Sequence, residues 1–309
     1  VTPAPTVPFA GALARGPLVL DGGLSNQLAA QGCDLSDALW SARLLADDPG
    51  QIEQAHAAYV RAGAQVLITS SYQATFEGFA RRGLGREQAA ELLRRSVGLA
   101  RSAAEKEAPG KDVWVAASVG PYGAFLADGS EYRGRYGLSV AELERFHRPR
   151  IETLAEAEPD VLALETVPDA AEAEALLRAV EGCGVPVWLS YSAAGGRTRA
   201  GQPLREAFAL AAGNDQVVAV GVNCCTPADA DAAVRTAAEA ARKPVVVYPN
   251  SGEEWDAAAR SWTGEPAFTP DRVTAWREAG ARLVGGCCRV GPDDIAALSR
   301  ALGAGPVQT

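Results

Sequence analysis

Eight short apolar runs recur along the chain, each followed by a polar or glycine-rich turn. They are Leu18–Leu20, Val66–Thr69, Val113–Val119, Val161–Leu164, Val185–Ser190, Val217–Val222, Val245–Tyr248 and Arg282–Val284. Their continuous, β-branched character suits parallel strands covered on both faces. Between them, helical spacing predicts helices over Pro49–Ala62, Arg86–Lys106, Ala141–Ala157, Ala170–Val180, Ala228–Arg242 and Pro270–Ala279. Several of these open on proline, Asp or Ser, as helix starts do. Strand and helix alternating in this way predict an α/β chain folded as a single-domain (β/α)8 TIM barrel. Residues 1–15 read as a loosely ordered lead. A doubly wound open sheet is the alternative, but no G-x-G-x-x-G follows the first run.

A length of 309 residues suits such a barrel with insertions. The net charge of −9 argues against nucleic acid or an anionic membrane as partner. No stretch approaches the roughly 18 apolar residues of a membrane span. Prolines interrupt the opening VTPAPTVPFAGALARG, which has no basic region, so no secretory signal is read there. The expectation is a cytoplasmic protein with reduced thiols, working on small molecules as a monomer or small homo-oligomer. Its cysteines are then metal, catalytic or core residues before they are disulfides. One connection, residues 120–139, is long, and its glycines and aromatics predict no helix. On a barrel it lies over the active-site face and is a lid candidate.

In a barrel, chemistry collects where strands end. The groups there are Asp21, Ser70 to Tyr72, Gly120-Pro121, Glu165, Ser190-Tyr191, Asn223 to Cys225, Tyr248 to Asn250 and Cys287-Cys288. The strand starts show nothing comparable. Four of the six cysteines fall at the sixth and eighth strand ends. His56 and His147 both fall within predicted helices, so a metal at these tips would be held by thiolates alone, a donor set that suits zinc. The Cys287-Cys288 pair follows Gly285-Gly286, and adjacent ligands need a bent backbone, which two glycines make cheap. Cys33 and Cys183 read as packing residues. Cys225 is ambiguous, because its neighbour Cys224 and it should point opposite ways.

At these residues the sequence resembles the homocysteine S-methyltransferases, from LDGGLSNQL through ALWSARLL, TSSYQAT, SVGPYGAFLADGSEYRG, LALETVPDAAEA, VGVNCC and YPNSGE to GGCCRVGPDDI. It looks most like the branch that uses S-methylmethionine or S-adenosylmethionine. The resemblance implies a barrel with one catalytic zinc on Cys224, Cys287 and Cys288. It implies that Asp21, Gly22 and Glu165 hold the amino-acid part of homocysteine, and that Trp40 and Tyr72 lie near the methyl donor. The family's first cysteine motif often has a small polar residue where Cys225 stands. Asp21 and Glu165 suit the substrate ammonium, since a carboxylate at the end of an apolar strand needs a partner. Backbone N–H groups of Gly22 and Gly23 suit the substrate carboxylate. Asn223 and Asn250 are candidates for orienting the ligands. Ser190, Thr69 and Arg289 read as local hydrogen-bonding or surface groups. Three rival readings are a homocysteine-activating subunit of cobalamin-dependent methionine synthesis, a betaine-dependent methyltransferase and a zinc-storage protein.

Overall fold

The computed structural model describes residues 5–303 except 36–38, 40, 257–260 and 264. The eight apolar runs form barrel strands β1 (Leu18–Val19), β2 (Val66–Ile68), β3 (Trp114–Val119), β4 (Val161–Val167), β5 (Val187–Tyr191), β6 (Val217–Asn223), β7 (Val245–Tyr248) and β8 (Ala281–Val284). All neighbours pair in parallel, in the order β1-β8-β7-β6-β5-β4-β3-β2. A parallel bridge from Leu20 to Val66 closes the ring between β1 and β2.

Helices α1 (Phe9–Arg15), α2 (Leu24–Ala30), α3 (Ser41–Asp47), α4 (Pro49–Arg61), α5 (Phe76–Arg81) and α6 (Arg86–Glu107) belong to the first half. The second half carries α7 (Tyr122–Leu126), α8 (Val140–Ala155), α9 (Ala170–Ala179), α10 (Leu204–Ala209), α11 (Pro227–Ala241), α12 (Pro270–Glu278) and α13 (Pro292–Ala301). No described helix is long and apolar enough to cross a membrane.

The strand period of two sorts the side chains into two cores. Val115, Ala117, Leu162, Leu164, Val220 and Val247 point outward into the layer shared with the helices. Trp114, Ala116, Ala163, Trp188, Ala219, Val246, Tyr248 and Leu283 fill the barrel interior. Small alanines on β3, β4 and β6 leave room for the two tryptophans, as large and small residues must alternate to pack a closed ring. Continuing the same phase upward puts Ser118, Glu165, Ser190 and Asn223 at the C-terminal mouth.

Two expectations are corrected. The lead over residues 1–15 is not loose from Phe9 onward: α1 plugs the bottom of the barrel. Phe9 is buried, with its ring 6.4 Å from Trp114 and 6.3 Å from Trp188. Trp114 Nε1 donates to the Val7 carbonyl at 3.0 Å and Thr6 N–H to Asp112 at 2.7 Å. The apolar triplet of a seven-residue helix is too short to show a period.

Residues 120–139 also contain a helix, α7, and a 3-10 turn over Ser130–Tyr132. Both are shorter than the window over which helical spacing is visible. The segment is clasped from below: Arg150 of α8 donates to the Gly120 carbonyl, and Tyr122 N–H donates to Glu172 of α9. Arg150 also donates to His147 Nδ1 at 2.8 Å, so the proton of that neutral ring lies on Nε2, 2.9 Å from Glu172. Burial holds His147 well below its ordinary pKa, which keeps it in this neutral form.

Candidate metal centre and substrate cleft

A cleft of about 750 Å³ opens at the C-terminal mouth and reaches Gly22, Tyr72, Tyr132, Glu165, Cys224, Cys287 and Cys288. The three cysteine sulfurs lie within 4.8 Å of one another. Cys224 Sγ is 2.9 Å from Cys287 Sγ and 3.9 Å from Cys288 Sγ.

Local chain geometry brings them together. Cys224 leaves β6 in the left-handed region, at φ 50°, a strained conformation for a non-glycine residue. Its N–H donates to the Tyr248 carbonyl at 3.2 Å. The turn sends Cys224 into the cleft and Cys225 away, where Cys225 is fully buried in the outer core. The ambiguity at NCC therefore resolves in geometry to Cys224.

The second loop bends as expected, but not because glycine supplies a positive φ. Neither Gly285 nor Gly286 has one; the left-handed residue is Arg289, at φ 67°. The glycines are needed for space. A Cβ on Gly286 would fall inside the buried Val290 side chain, and one on Gly285 would lie 2.7 Å from the Asp21 carbonyl. Asn250 braces both loops: its side-chain oxygen accepts from Cys288 N–H at 3.2 Å, and its N–H donates to the Cys225 carbonyl at 2.9 Å.

Three thiols this close cannot all ionise unaided, and they titrate as one unit. The hydrogen bond with Cys224 pushes Cys287 up and holds Cys288 down. No imidazole or carboxylate joins the cluster among the described residues.

The carboxyls sit beside it. Glu165 accepts from Ser118 Oγ on one oxygen and from Tyr248 OH at 2.9 Å on the other. Burial pushes its pKa up to about 7. Asp21 is 1% exposed, accepts from Ile68 N–H at 2.9 Å on Oδ2, and has no partner on Oδ1 among the described residues. Burial, and then the charge of Glu165, raise it well above the carboxylate range. Two like charges in a dry mouth call for a cation between them.

Other expected site residues take different parts. Gly22 lines the cleft, and a Cβ there would collide with the Val290 carbonyl. The Gly23 N–H is spent on that same carbonyl at 2.9 Å, so it is not available to a substrate carboxylate, a correction that strand-end position alone could not foresee. Asn223 is at the mouth, but its amide is used by the protein. Its oxygen accepts from Thr166 N–H and Ser190 Oγ, both at 2.8 Å, and its nitrogen donates to Thr166 Oγ1 at 2.7 Å. It ties the tips of β4, β5 and β6 from a place that also lines the cleft. Tyr72 lines the cleft. Trp40 lies outside the described residues. Cys33 packs against the outer core, and Cys183 accepts from Gln216 Nε2 at 3.3 Å.

Sequence reasoning missed Ser118 and Tyr132. The Tyr132 hydroxyl meets Cys224 Sγ at 3.4 Å, and Arg199 covers its ring at 5.5 Å. Ser118 was findable: it stands in phase with Trp114 and Ala116. The lid residues carry no such period.

Comparison with known proteins agrees with this geometry. A family model described as homocysteine S-methyltransferase matches residues 18–302. A homocysteine S-methyltransferase of Escherichia coli (strain K12) is 47% identical over 290 residues, covering 91% of this chain and 94% of its own. Homocysteine S-methyltransferase YbgG of Bacillus subtilis (strain 168) is 42% identical, covering 92% of this chain and 95% of its own. The crystal structure of the metallated form of the E. coli homocysteine methyltransferase MmuM superposes with a TM-score of 0.83 at 45% identity, covering 92% of this chain and 96% of that one.

Proposed function

This chain belongs to the homocysteine S-methyltransferase family, and we propose that it methylates L-homocysteine with S-methylmethionine, on a zinc ion held by Cys224, Cys287 and Cys288. The observation that carries the reading is the convergence of three sulfurs within 4.8 Å beside two buried carboxyls. The donor set fits zinc: all three sulfurs line the cleft, which leaves one side of the trio facing it, the arrangement of a catalytic rather than a structural site. When bound, zinc supplies the positive charge that deprotonates a thiol whose free pKa is near 8.5.

The protein's own groups do the rest. Asp21 and Glu165 receive the homocysteine ammonium, and Gly22 lets the substrate approach the backbone closely. Tyr132 OH, in contact with Cys224 Sγ, helps carry the sulfur charge. The lid and Tyr72 cover the mouth and exclude water. The homocysteine sulfur forms its bond to the methyl carbon while the donor's sulfonium C–S bond breaks. That electron pair stays on the donor sulfur, which leaves as a neutral thioether. With S-methylmethionine, both products are methionine. Charge disappears from both partners, so a dry site favours the step.

Zinc-loaded protein given homocysteine with S-methylmethionine, S-adenosylmethionine or betaine tests this. The expected order places S-methylmethionine first and betaine at background, with turnover lost on chelation and no need for cobalamin. Turnover with betaine, or full activity after chelation, contradicts it. A storage protein would have no use for the paired carboxyls.

Glu165→Gln is expected to raise the homocysteine KM about 10–100-fold, since one of two ammonium partners loses its charge. The wild-type pH profile carries the same signature. Glu165 titrates near 7, above the ordinary 4.5. Below about pH 7 it must lose a proton to bind the ammonium, so the homocysteine KM climbs by up to about tenfold per pH unit as pH falls. The free protein behaves oppositely: burial of this carboxyl costs stability as pH rises from about 4.5 to about 7. Steady-state kinetics from pH 5.5 to 8.5 check both, and a Glu165→Gln profile as steep as wild type contradicts the assignment.

A further inference from the structure

One polar group at the mouth has no part in the chemistry above. Ser70 follows β2, lines the cleft and is 1% exposed. Its hydroxyl has no hydrogen-bond partner, and no other buried side-chain oxygen or nitrogen on the described cleft-lining residues is left so. The residues on either side are committed. Thr69 Oγ1 is hydrogen-bonded to Ser71 Oγ at 2.7 Å and accepts from Ser118 N–H at 3.0 Å, and Ser71 Oγ donates to the Ser118 carbonyl at 2.8 Å. Val66 and Ile68 belong to the barrel interior and Leu67 to the outer layer, so the same phase carries Ser70 inward. Asp21 stands across the seam between β1 and β2. Its N–H donates to the Val66 carbonyl at 3.1 Å, and its Oδ2 accepts from Ile68 N–H at 2.9 Å. Asp21 Oδ1 is also buried without a partner, so two adjacent strand tips each carry an unmet oxygen.

We propose that the Ser70 hydroxyl receives the α-carboxylate of homocysteine and so selects thiols that carry one. The inference rests on the function proposed above and deepens it. A buried hydroxyl left unpaired costs free energy, so a ligand that pairs it gains affinity. Serine has a proton to give, which a carboxylate accepts and an ammonium does not. The ammonium already has two acids, Asp21 and Glu165. The carboxylate is short of donors, because the Gly23 N–H is spent on the Val290 carbonyl. No Lys or Arg is among the described residues lining the cleft, so neutral donors have to serve. Ammonium and carboxylate share one carbon. A head group with its nitrogen on Asp21 therefore brings its carboxylate to the next strand tip, where Ser70 stands. One zwitterion meets both unpaired oxygens of this corner.

The test compares L-homocysteine with 3-aminopropane-1-thiol, which lacks only the carboxylate, in wild-type protein and Ser70→Ala. Binding of each thiol to zinc-loaded protein is read by calorimetry, without a methyl donor. Wild-type turnover of homocysteine with S-methylmethionine checks the proposed function separately. The expected result is a rise of about tenfold in the homocysteine Kd in Ser70→Ala, as for a lost hydrogen bond to a charged group. The Kd of 3-aminopropane-1-thiol is expected to change less than about threefold. Ser70→Thr, which keeps the hydroxyl, is expected to restore part of the preference, and thermal unfolding of both variants shows whether the barrel still packs. An equal rise for both thiols marks Ser70 as structural and overturns the proposal. So does an unchanged Kd for both, or a loss confined to 3-aminopropane-1-thiol.

Discussion

Replacing Cys287 with Ala is expected to abolish both metal binding and turnover. The residue supplies one of three sulfurs and sits 2.9 Å from Cys224 Sγ, so the remaining pair leaves a cation half coordinated. Loss of an outer partner of a metal site costs about 10–100-fold in affinity or activity; loss of a ligand from a set of three costs more. The fold is expected to survive, since Cys287 is only partly buried at the mouth and its backbone N–H keeps the Pro249 carbonyl at 2.8 Å. Metal content by elemental analysis and methionine formation under saturating donor check the prediction. Cys225→Ala is the matched control. Its side chain lies in the outer core, so it is expected to keep one metal per chain and lose only about 1–2 kcal/mol of stability to the small cavity. A zinc-free, fully active Cys287→Ala protein overturns the site, as does metal loss confined to Cys225→Ala.

Gly286→Ala is expected to lose the metal almost as completely, although every ligand remains. The added methyl would occupy the place of the Val290 side chain, which is buried. Val290 cannot retreat freely, because its N–H donates to the Cys287 carbonyl at 3.2 Å and its carbonyl accepts from Gly23 N–H at 2.9 Å. Relief has to come from the loop, which carries two adjacent ligands and is held at Asn250. Overpacking of this kind costs about 1–3 kcal/mol in stability. The larger effect is geometric, since ligand sulfurs displaced by a fraction of an ångström no longer converge. Zinc affinity measured against a competing chelator is expected to fall by more than tenfold with far-ultraviolet circular dichroism unchanged. Wild-type affinity in this variant contradicts the packing argument.

The barrel was legible because eight apolar runs and long helices repeat above the noise of single residues. Every run corresponds to an observed strand. The two cysteine loops, Asp21 and Glu165 were legible because each ends an apolar run with a group that is costly to bury. What stayed hidden has short or non-local causes. The plug α1 and the lid helix α7 span seven and five residues, below one clear period. The Gly23 N–H is removed from the site by a carbonyl far along the chain, at Val290. Asn223 is occupied by Thr166 and Ser190, partners on two other strands. Tyr132 reaches the cleft from a lid whose roots Arg150, His147 and Glu172 pin, and those contacts join residues from α8 and α9.

The central claim is that three cysteine sulfurs hold zinc with a position left for the homocysteine sulfur. X-ray absorption at the zinc edge, on protein before and after homocysteine is added, tests it directly. The account predicts three sulfur neighbours at about 2.3 Å in the free protein, rising to four with homocysteine. An unchanged sulfur count on adding homocysteine, or a shell dominated by nitrogen and oxygen, would contradict it.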